Sequence, residues 1–407
     1  MNHDIAKLQL TLNTHQDCDN NAAATGRKLG VSASTVKGRL AQAAAAGLTA
    51  GEAVPDEFLP EVEIIKLRDE IRTLRATIQN GHREEITRKA IHKHILQIAD
   101  ADPNPPQWMV KPPRSGHVLG VPTLFASDWH WGEVVNPSEV ANANSFNTEI
   151  AHKRVRKLLD TTCDLLLNRF ATPDYPGIVL AIGGDMVTGT IHEDLLQGSD
   201  QAIGPCVLDV FGVLVWLINS LAVKFDKVFV PGVAGNHGRT TRKPVAKNRA
   251  ATNWDWLILK FLQRHFQNDD RVSFLIPDGP DARFNIYSHR YLLTHGDQFR
   301  GGGGVAGPLM TIVRGRHKKA SRDVALDNPW DTIIMGHWHQ LIQLQDVIVN
   351  STLKGIDEYA FQGNFGYERP SQALWITHPR HGIAYQMPVY VDERRVKSAD
   401  EWVSWKK

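Results

Sequence analysis

The pattern of hydrophobic and polar positions changes along the chain. From Val121 to about Val391, short runs rich in β-branched residues alternate with longer segments of helical periodicity. Alternation of this kind predicts an α/β fold with a mixed sheet. Residues 55–101 are charged and helix-periodic, whereas residues 20–51 are rich in alanine and contain no acidic side chain. We therefore expect a small all-α region and a helical connector ahead of the α/β domain.

Composition and periodicity together predict five segments. Their expected bounds are a small helical domain at 1–52, a charged helical segment at 53–101, a proline-rich linker at 102–120, the α/β domain at 121–392 and a charged tail at 393–407. The linker carries PNPP and KPPRSG, which favour an extended and fairly stiff chain.

The charged segment contains a short heptad seam. Its hydrophobic residues follow an alternating three-and-four spacing, at Ile64, Leu67, Ile71, Leu74 and Ile78. A seam of about two heptads more often packs on its own domain than it dimerises. A homodimer formed through residues 60–80 is the alternative interpretation.

Composition excludes several protein classes and adds one chemical hint. Hydrophobic residues make up 42% of the 407 positions and charged residues 22%, which excludes general disorder, a collagen-like repeat and a disulfide scaffold. The 46 basic and 44 acidic side chains give a net charge of +2, so global charge identifies no partner. The 18 histidines indicate metal chemistry.

We expect a cytoplasmic protein without a membrane partner. The three cysteines are unpatterned, which suits a reducing compartment, and the N-terminus lacks a basic region followed by an apolar core. The most apolar stretch, 207–223, is interrupted by Asp209 and Asn219. Its uncharged core is too short to span a bilayer, so we predict a buried core helix there.

Residues 22–48 predict two short helices joined by a tight turn. The first helix should end near Leu29, and Gly30 should permit the turn. Ser32 or Ser34 should then cap the second helix. The small and apolar positions of the pattern are Gly26, Leu29, Gly30, Val31, Val36 and Leu40.

This pattern resembles the helix-turn-helix DNA-binding motif. The resemblance implies that the second helix presents a polar and basic face to the major groove, formed by Ser34, Thr35, Lys37 and Arg39. The absence of acidic residues around it avoids repulsion from phosphate. A small helical bundle that contacts protein is the alternative.

Five short motifs follow strand-like runs in the α/β region. In chain order they contain Asp128 and His130 in DWH, Asp185 in GGD, Asn236 and His237 in GNHG, His295 in HGD, and His337 and His339 in GHWH. Carboxylate, imidazole and amide ligands suit Mn²⁺, Fe²⁺, Zn²⁺ or Co²⁺ better than a thiolate metal or pure Mg²⁺. The DxH and HxH spacing would send both side chains to one side of an extended segment. Seven candidate ligands are too many for one tetrahedral centre and suit two metals that share a carboxylate.

The ordered set resembles the calcineurin-like metallophosphoesterase superfamily, whose pattern is DxH, GD, GNH, H and GHxH. The resemblance covers about two-thirds of the chain and implies a two-sheet sandwich flanked by helices. It implies one metal on Asp128, His130 and His339, a second on Asn236, His295 and His337, and Asp185 bridging both. The expected metal is Mn²⁺, with Fe²⁺, Zn²⁺ and Co²⁺ as alternatives.

The same resemblance implies a reaction. A metal-bridging hydroxide would attack phosphorus in line, and His237 would act as acid or transition-state stabiliser. The motif here continues GNHG instead of the GNHD or GNHE of many nuclease-type members, which puts the subfamily in doubt but not catalysis. Asp297 is expected to orient a ligand histidine.

Two basic clusters suggest a polyanionic substrate. The alternative for each cluster is that its charged side chains simply form a solvated face of the protein. The first follows GNH and includes Arg239 and Arg242, which we take as candidate substrate contacts. The second comprises Arg314, Arg316, Lys318, Lys319 and Arg322. A DNA nuclease similar in domain arrangement to phage and prophage exonuclease-like phosphoesterases is the leading hypothesis. The alternatives are a phosphatase or phosphodiesterase for a small molecule or phosphoprotein with a regulatory head, and a non-enzymatic DNA-binding protein.

Overall fold

A computed structural model describes residues 2–51, 106–110, 119–171, 173–191, 198–300 and 307–393. The chain divides into two units, Met1–Ala99 and Asp100–Lys407. The predicted charged segment with its heptad seam and homodimer surface lies outside the described residues, as do most of the predicted linker and tail. The domain bounds and the homodimer therefore stay predictions.

The N-terminal unit contains three helices: α1 (Asn2–Asp17), α2 (Ala22–Leu29) and α3 (Ala33–Ala45). Helix α2 ends at Leu29, and Gly30 adopts the left-handed conformation at φ +67°, as the sequence predicts. Ser32, and not Ser34, caps α3, because its hydroxyl accepts the backbone N–H of Thr35 at 3.1 Å.

The turn between α2 and α3 requires glycine at position 26. A Cβ there would lie 2.6 Å from the carbonyl oxygen of Val31, so the turn packs directly on the helix backbone. Val36 is fully buried on the inner side of α3. These contacts match the local geometry expected of two packed helices, and DNA binding by this unit stays a prediction.

The larger unit contains eleven described strands in two sheets. In chain order the strands are β1 (Val121–Ala126), β2 (Ile178–Ile182), β3 (Val228–Pro231), β4 (Val272–Leu275), β5 (Asp281–Ile286), β6 (His289–Thr294), β7 (Thr332–Met335), β8 (Ile342–Gln343), β9 (Val347–Val349), β10 (Ser371–His378) and β11 (Gly382–Tyr390). The first sheet has the order β11-β10-β1-β2-β3-β4, and the second has the order β5-β6-β7-β9-β8.

Both sheets are mixed, with parallel strands at their centres. Strands β1, β2, β3 and β4 are parallel, and β10 and β11 pair antiparallel at the edge next to β1. In the second sheet β6, β7 and β9 are parallel, whereas β5 and β8 are antiparallel edges. Parallel strands align their carboxyl ends, so the loops that follow β1, β2 and β3 share one edge, as do those that follow β6 and β7.

Helices surround the two sheets. The described helices of this unit are α4 (Gln107–Val110), α5 (Thr148–Cys163), α6 (Ile203–Phe225), α7 (Trp254–His265), α8 (Pro308–Ala325) and α9 (Glu358–Gln362), with a 3₁₀ turn at Pro137–Val140 and a π-helical turn at Asp164–Asn168.

Alternating side chains along each central strand build the layers. In β1, Phe125 packs in a cluster with Phe284 and Ile334 of the second sheet, whereas Leu124 and Ala126 pack with the helices on the other face. Residues i and i+2 of a strand point to the same face, so one strand can line both cores. Ile312 of α8 packs with Ile333 and Met335 on the outer face of the second sheet. The predicted two-sheet α/β architecture flanked by helices is confirmed.

The apolar stretch 207–223 lies within helix α6. Its inner face is buried, through residues such as Val210, Leu214 and Leu217. Its outer face exposes Leu208 and Val223. Among the residues that the structure describes, α6 alone is long and apolar enough to cross a membrane, with 44% of its most apolar window buried. The predicted core helix is thus buried on one face only.

Candidate metal centre

Five loops at strand carboxyl ends hold all of the candidate ligands. Asp128 and His130 follow β1, Asp185 follows β2, and Asn236 and His237 follow β3, all in the first sheet. The second sheet contributes His295 after β6, and His337 and His339 after β7. The two sheets therefore both contribute side chains to one group of loops.

Five of the candidate ligands have a left-handed and not an extended backbone. Asp128 and His130 have φ of +55° and +49°, and His337 and His339 have φ of +71° and +52°. Asp185 joins them at +52°. The expectation that DxH and HxH lie on extended segments is therefore wrong, and turns aim these side chains instead. Left-handed non-glycine residues are uncommon and cluster at functional sites.

Two glycines allow the loops to approach the carboxylates closely. A Cβ on Gly235 would lie 2.1 Å from Oδ1 of Asp185, and one on Gly336 would lie 2.1 Å from Oδ2 of Asp128. Any larger residue at either position would displace the carboxylate. The sequence has glycine at both positions, directly before the candidate ligands Asn236 and His337.

The first ligand cluster consists of Asp128, His130 and His339, whose ligand atoms all lie within 4.8 Å of one another. The Nε2 atoms of the two histidines are 3.1 Å apart, and Nε2 of His339 is 3.4 Å from Oδ1 of Asp128. The hydroxyl of Ser127 donates to Oδ2 of Asp128 at 2.5 Å, and the backbone N–H of His337 donates to Oδ1 at 2.9 Å. These two hydrogen bonds fix the orientation of the Asp128 carboxylate independently of any metal ion.

The second ligand cluster consists of Asp185, His295 and His337, again within 4.8 Å. Nε2 of His295 lies 3.0 Å from Oδ2 of Asp185 and 3.0 Å from Oδ1 of Asn236, which brings the predicted amide ligand into the same cluster. Nδ1 of His295 lies 2.8 Å from the carbonyl oxygen of Gly183. The Gly183 carbonyl oxygen therefore holds the His295 ring.

Asp185 connects both clusters with His237. His130, Asp185 and His237 form a third group within 4.8 Å, and the rings of His130 and His237 are 4.7 Å apart. The backbone N–H of His237 donates to Oδ1 of Asp185 at 2.7 Å, while Nδ1 of His237 faces the carbonyl oxygen of Thr188 at 3.1 Å. A carboxylate in this position is geometrically suited to be shared between two cations.

Electrostatics divide the histidines into two kinds. Burial lowers the pKa of His130 and His237, and it lowers the pKa of His337 to about 4. Burial acts in the same direction on His295, but the adjacent Asp185 carboxylate outweighs it and raises the pKa of His295 to about 10. The charges of His295 and His237 hold the pKa of Asp185 well below its usual range despite burial. Burial thus favours the neutral form of these three rings, and the neutral imidazole is the form that binds a metal.

The donor set fits divalent cations. Imidazole nitrogens and carboxylate oxygens converge at about ligand-to-ligand spacing, and the described residues contribute no cysteine to these clusters. Asp185 and His295 together hold one proton that a cation would replace. These His and Asp clusters could hold metal ions, and the assignment of each ligand to one of two ions is taken up as a proposal below.

Asp255 is a site residue that the sequence analysis missed. This fully buried carboxylate, in the first turn of α7, accepts the backbone N–H groups of Asp185 and Gly235 at 2.9 Å each and that of Met186 at 3.1 Å. Burial, and the nearby charge of Asp185, raise the pKa of Asp255 to about 6. Asp255 therefore ties together the loops that carry Asp185 and Asn236. Its only sequence signal is an acidic residue after the helix-capping Asn253.

The predicted substrate contacts fall in two environments. Arg239 is half-buried beside the site and donates to the carbonyl oxygen of Asn236 at 2.9 Å, whereas Arg242 is exposed. Arg249 forms a bidentate ion pair with Asp297, with both contacts at 2.7 Å. The Asp297 carboxylate is thus occupied by an arginine.

The second basic cluster is largely neutralised within the protein. Arg316 pairs with Asp346, Lys319 with Asp281, and Arg322 with Asp323. Arg314 and Lys318 remain exposed on α8. This cluster should therefore attract a polyanion less strongly than its sequence suggests.

The predicted DNA contacts lie on α3 of the N-terminal unit. Ser34, Thr35 and Lys37 are exposed, and Arg39 is half-buried. Part of the hydroxyl face is used internally, because Ser32 bonds the Ser34 and Thr35 hydroxyls at 2.8 and 2.7 Å. Lys37 and Arg39 remain the basic groups through which this helix could meet a phosphate.

No protein-family model matches the chain, and no curated protein matches its sequence. One similar solved structure is an uncharacterised Streptococcus pneumoniae protein assigned as a phosphoesterase, with 8% identity and a TM-score of 0.24 over 66% of this chain and 97% of that one. Another is a Staphylococcus aureus protein assigned as a 5'-nucleotidase, in complex with alpha-ketoglutarate, with 12% identity and a TM-score of 0.28 over 69% of this chain and 56% of that one. Likeness this weak carries no argument about activity, which must rest on the geometry of the site.

Proposed function

We propose that this chain is a metal-dependent phosphoesterase that hydrolyses phosphodiester bonds, with DNA as the substrate. One observation carries the proposal: five strand ends from two sheets bring carboxylate, imidazole and amide ligands together beside His237. The order of these motifs along the chain is the one that the resemblance to calcineurin-like metallophosphoesterases requires.

We propose the two ligand sets that the resemblance implies, and the clusters support them. Asp128, His130 and His339 would hold one divalent ion, and Asn236, His295 and His337 would hold the second. Asp185, in contact with both groups, would be shared. When bound, two such ions lower the pKa of water and stabilise charge on phosphoryl oxygens. We propose Mn²⁺, with Fe²⁺, Zn²⁺ and Co²⁺ as alternatives that satisfy the same donors.

His237 is proposed as the group that protonates the leaving oxygen. Its Nδ1 faces the Thr188 carbonyl oxygen at 3.1 Å, which is the arrangement of a ring that carries its proton on Nδ1. Its backbone N–H is bonded to Asp185, so the ring is held beside the shared carboxylate. With one proton held on Nδ1, the ring would take up a second proton on Nε2 and give that proton to the leaving oxygen, which returns the ring to its neutral form.

The N-terminal unit is proposed to deliver DNA to the enzyme. The support is local: a glycine turn between two packed helices, and exposed Ser34, Thr35 and Lys37 on the second of them. Lys37→Ala in the full chain should weaken binding to duplex DNA and reduce the slope of log affinity against log salt by about one unit. Lys28→Ala is the matched control, because Lys28 lies on α2 and already faces Asp17 at 3.7 Å.

One experiment tests the reaction. Metal-stripped protein would be reloaded with Mn²⁺ and given a chromogenic phosphodiester, a chromogenic phosphomonoester, and end-labelled single- and double-stranded DNA in parallel. We expect cleavage of DNA and of the diester, with little monoester hydrolysis and none without metal. Absence of hydrolysis of all four substrates by the reloaded protein would overturn the proposal.

A second candidate is a phosphatase or phosphodiesterase for a small molecule or phosphoprotein. It is favoured by the ion pairs on α8, since a surface with three neutralised cations attracts a polyanion less strongly. In the same experiment this candidate predicts monoester or diester turnover with DNA left intact. The N-terminal unit would then be regulatory.

A further inference from the structure

A buried ion cluster lies next to His130 of the candidate metal centre. Lys354, Glu133 and Asp357 are 3%, 5% and 8% exposed. Nζ of Lys354 donates to Oε1 of Glu133 at 2.6 Å and also contacts the carboxylate of Asp357. Burial alone would lower the pKa of Lys354, but the two carboxylates outweigh it and raise that pKa. A charged ammonium is thus held inside the protein. Burial of a charge costs free energy, so its retention indicates a structural or functional role.

The second oxygen of Glu133 faces the candidate ligands. Oε2 accepts the hydroxyl of Thr188 at 2.7 Å and lies 3.4 Å from Nδ1 of His130. That nitrogen is buried and makes no hydrogen bond to any other described residue. The opposite nitrogen of the same ring, Nε2, points into the first ligand cluster, 3.1 Å from His339. Among the ion pairs of the described residues, Glu133 is the carboxylate that faces His130 Nδ1, and a small rotation of the ring would let Nδ1–H donate to it.

The same carboxylate reaches His237 through one intermediate. Thr188, whose hydroxyl donates to Glu133, presents its backbone carbonyl oxygen to Nδ1 of His237 at 3.1 Å. Both rings thus have Nδ1 turned toward the Glu133–Thr188 pair. Under the proposed function, Nε2 of His130 would bind the metal, and Nε2 of His237 would carry the proton for the leaving oxygen.

We propose that Glu133, held by Lys354 and Asp357, is a positioning residue that fixes the orientation and tautomer of His130 and, through Thr188, of His237. The inference rests on the proposed function, which it deepens. A ligand histidine that donates its other N–H to a carboxylate is a better-oriented and more basic ligand, and loss of such a partner costs roughly 10- to 100-fold in metal affinity or activity.

Lys354 contributes to the positioning of His130 and His237 because it fixes the Glu133 carboxylate. Oε1 is bonded to Lys354, which leaves Oε2 for Thr188 and His130. Removing the ammonium would leave two buried carboxylates without their shared cation, so Lys354→Met alone is expected to lower stability. The double variant Glu133→Gln with Lys354→Met removes one charge of each sign and serves as the second test.

The test measures metal binding without catalysis. Mn²⁺ would be titrated into the metal-free full chain by calorimetry for the parent, Glu133→Gln, Lys354→Met and the double variant. We expect 10- to 100-fold weaker binding at one of two sites in all three variants. Lys260→Met is the matched control, because Lys260 is also buried, at 5% exposed, but lies over Trp256 on α7, apart from this cluster. Its Mn²⁺ affinity should equal that of the parent.

A second readout separates positioning from general destabilisation. In metal-free protein labelled with ¹⁵N-histidine, the His130 ring should carry its proton on Nδ1 in the parent and lose this preference in Glu133→Gln. Unchanged Mn²⁺ affinity together with an unchanged tautomer in a folded Glu133→Gln protein would overturn the inference. Failure of the parent itself to bind Mn²⁺ would instead count against the proposed function, so the two failures are distinct.

Discussion

Nε2 of His130 and Nε2 of His339 lie 3.1 Å apart, although 209 positions separate the two residues. His130 follows β1 in the first sheet and His339 follows β7 in the second. The first ligand cluster therefore exists only when the two sheets are packed face to face. Their contact is made by the inter-sheet core, in which Phe125 and Trp375 pack with Tyr291. Stability of the sandwich and integrity of the site are thus coupled.

Removal of a ligand should abolish activity and leave the fold intact. Asp185→Asn puts a neutral amide in place of the carboxylate that is proposed to be shared, and His337→Ala removes a ring from the second cluster. Loss of a partner behind a ligand costs about 10- to 100-fold, so loss of a ligand should cost at least about 100-fold in Mn²⁺-dependent turnover. Turnover and bound metal per chain would be measured together.

His381→Ala is the control for these variants. His381 lies in the turn between β10 and β11, at the end of the first sheet where Val121 begins β1 and pairs with Thr377. The ligands occupy the opposite end, after Ala126. His381→Ala should retain full activity, and equal losses in it and in His337→Ala would show that histidine removal acts through the fold.

The sequence predicts which side chains lie together at the strand ends because its signals are local. Each motif follows a buried strand, and parallel strands necessarily bring their carboxyl ends together. The turn at Gly30 and the cap on α3 are equally local, so a helix end, a left-handed glycine and a capping hydroxyl could be predicted from neighbouring residues.

What the sequence could not predict depends on contacts between distant segments. Lys354 meets Glu133 across 221 positions, and Asp255 reaches Asp185 across 70. Nothing near either residue in the chain indicates such a partner. The left-handed backbone at the candidate ligands was also not predicted, because the DxH or HxH sequence pattern does not distinguish an extended strand from a turn. Tertiary packing decides these features.

Asp255→Ala should destabilise the protein and distort the site. The substitution leaves the buried N–H groups of Asp185, Met186 and Gly235 without their acceptor. A buried donor left unsatisfied costs about 1–3 kcal/mol, so we expect a loss of at least about 3 kcal/mol in the free energy of unfolding, measured by chemical denaturation. Asp269→Ala, which breaks a partly exposed pair with Arg271, should cost at most about 1 kcal/mol. Equal stabilities for the two variants would contradict the role assigned to Asp255.

His237→Ala should leave metal binding in place and slow turnover. The ring lies beside the first cluster and Asp185, but its Nδ1 is directed at Thr188. A general acid matters most when the leaving group is a poor one, so the loss should be about 10²- to 10⁴-fold on an alkyl phosphodiester and much smaller on an aryl one. Comparison of the two substrates checks the role, and loss of bound metal in this variant would identify His237 as a ligand instead.

The His295–Asp185 pair predicts how stability of the metal-free protein depends on pH. The pKa of His295 is raised to about 10 in the folded state because the Asp185 carboxylate outweighs burial, whereas an unfolded histidine titrates near 6.5. A raised pKa contributes stability that is complete below 6.5 and is lost as pH rises toward 10. Between pH 7 and 9 the free energy of unfolding should therefore fall by up to about 1 kcal/mol per pH unit. The lowered pKa values of His130, His237 and His337 act below this window.

Two measurements check the dependence. Chemical denaturation of the metal-free parent at pH 7, 8 and 9 should show the decline, and Asp185→Asn should abolish it, because the carboxylate that raises the pKa is gone. Calorimetry of Mn²⁺ binding at pH 8, in two buffers with different ionisation enthalpies, should show release of about one proton as the cation displaces it from His295. A flat stability profile in the parent, or metal binding without proton release, would mean that His295 is already neutral in the folded chain and that Asp185 stands free to bind the metal.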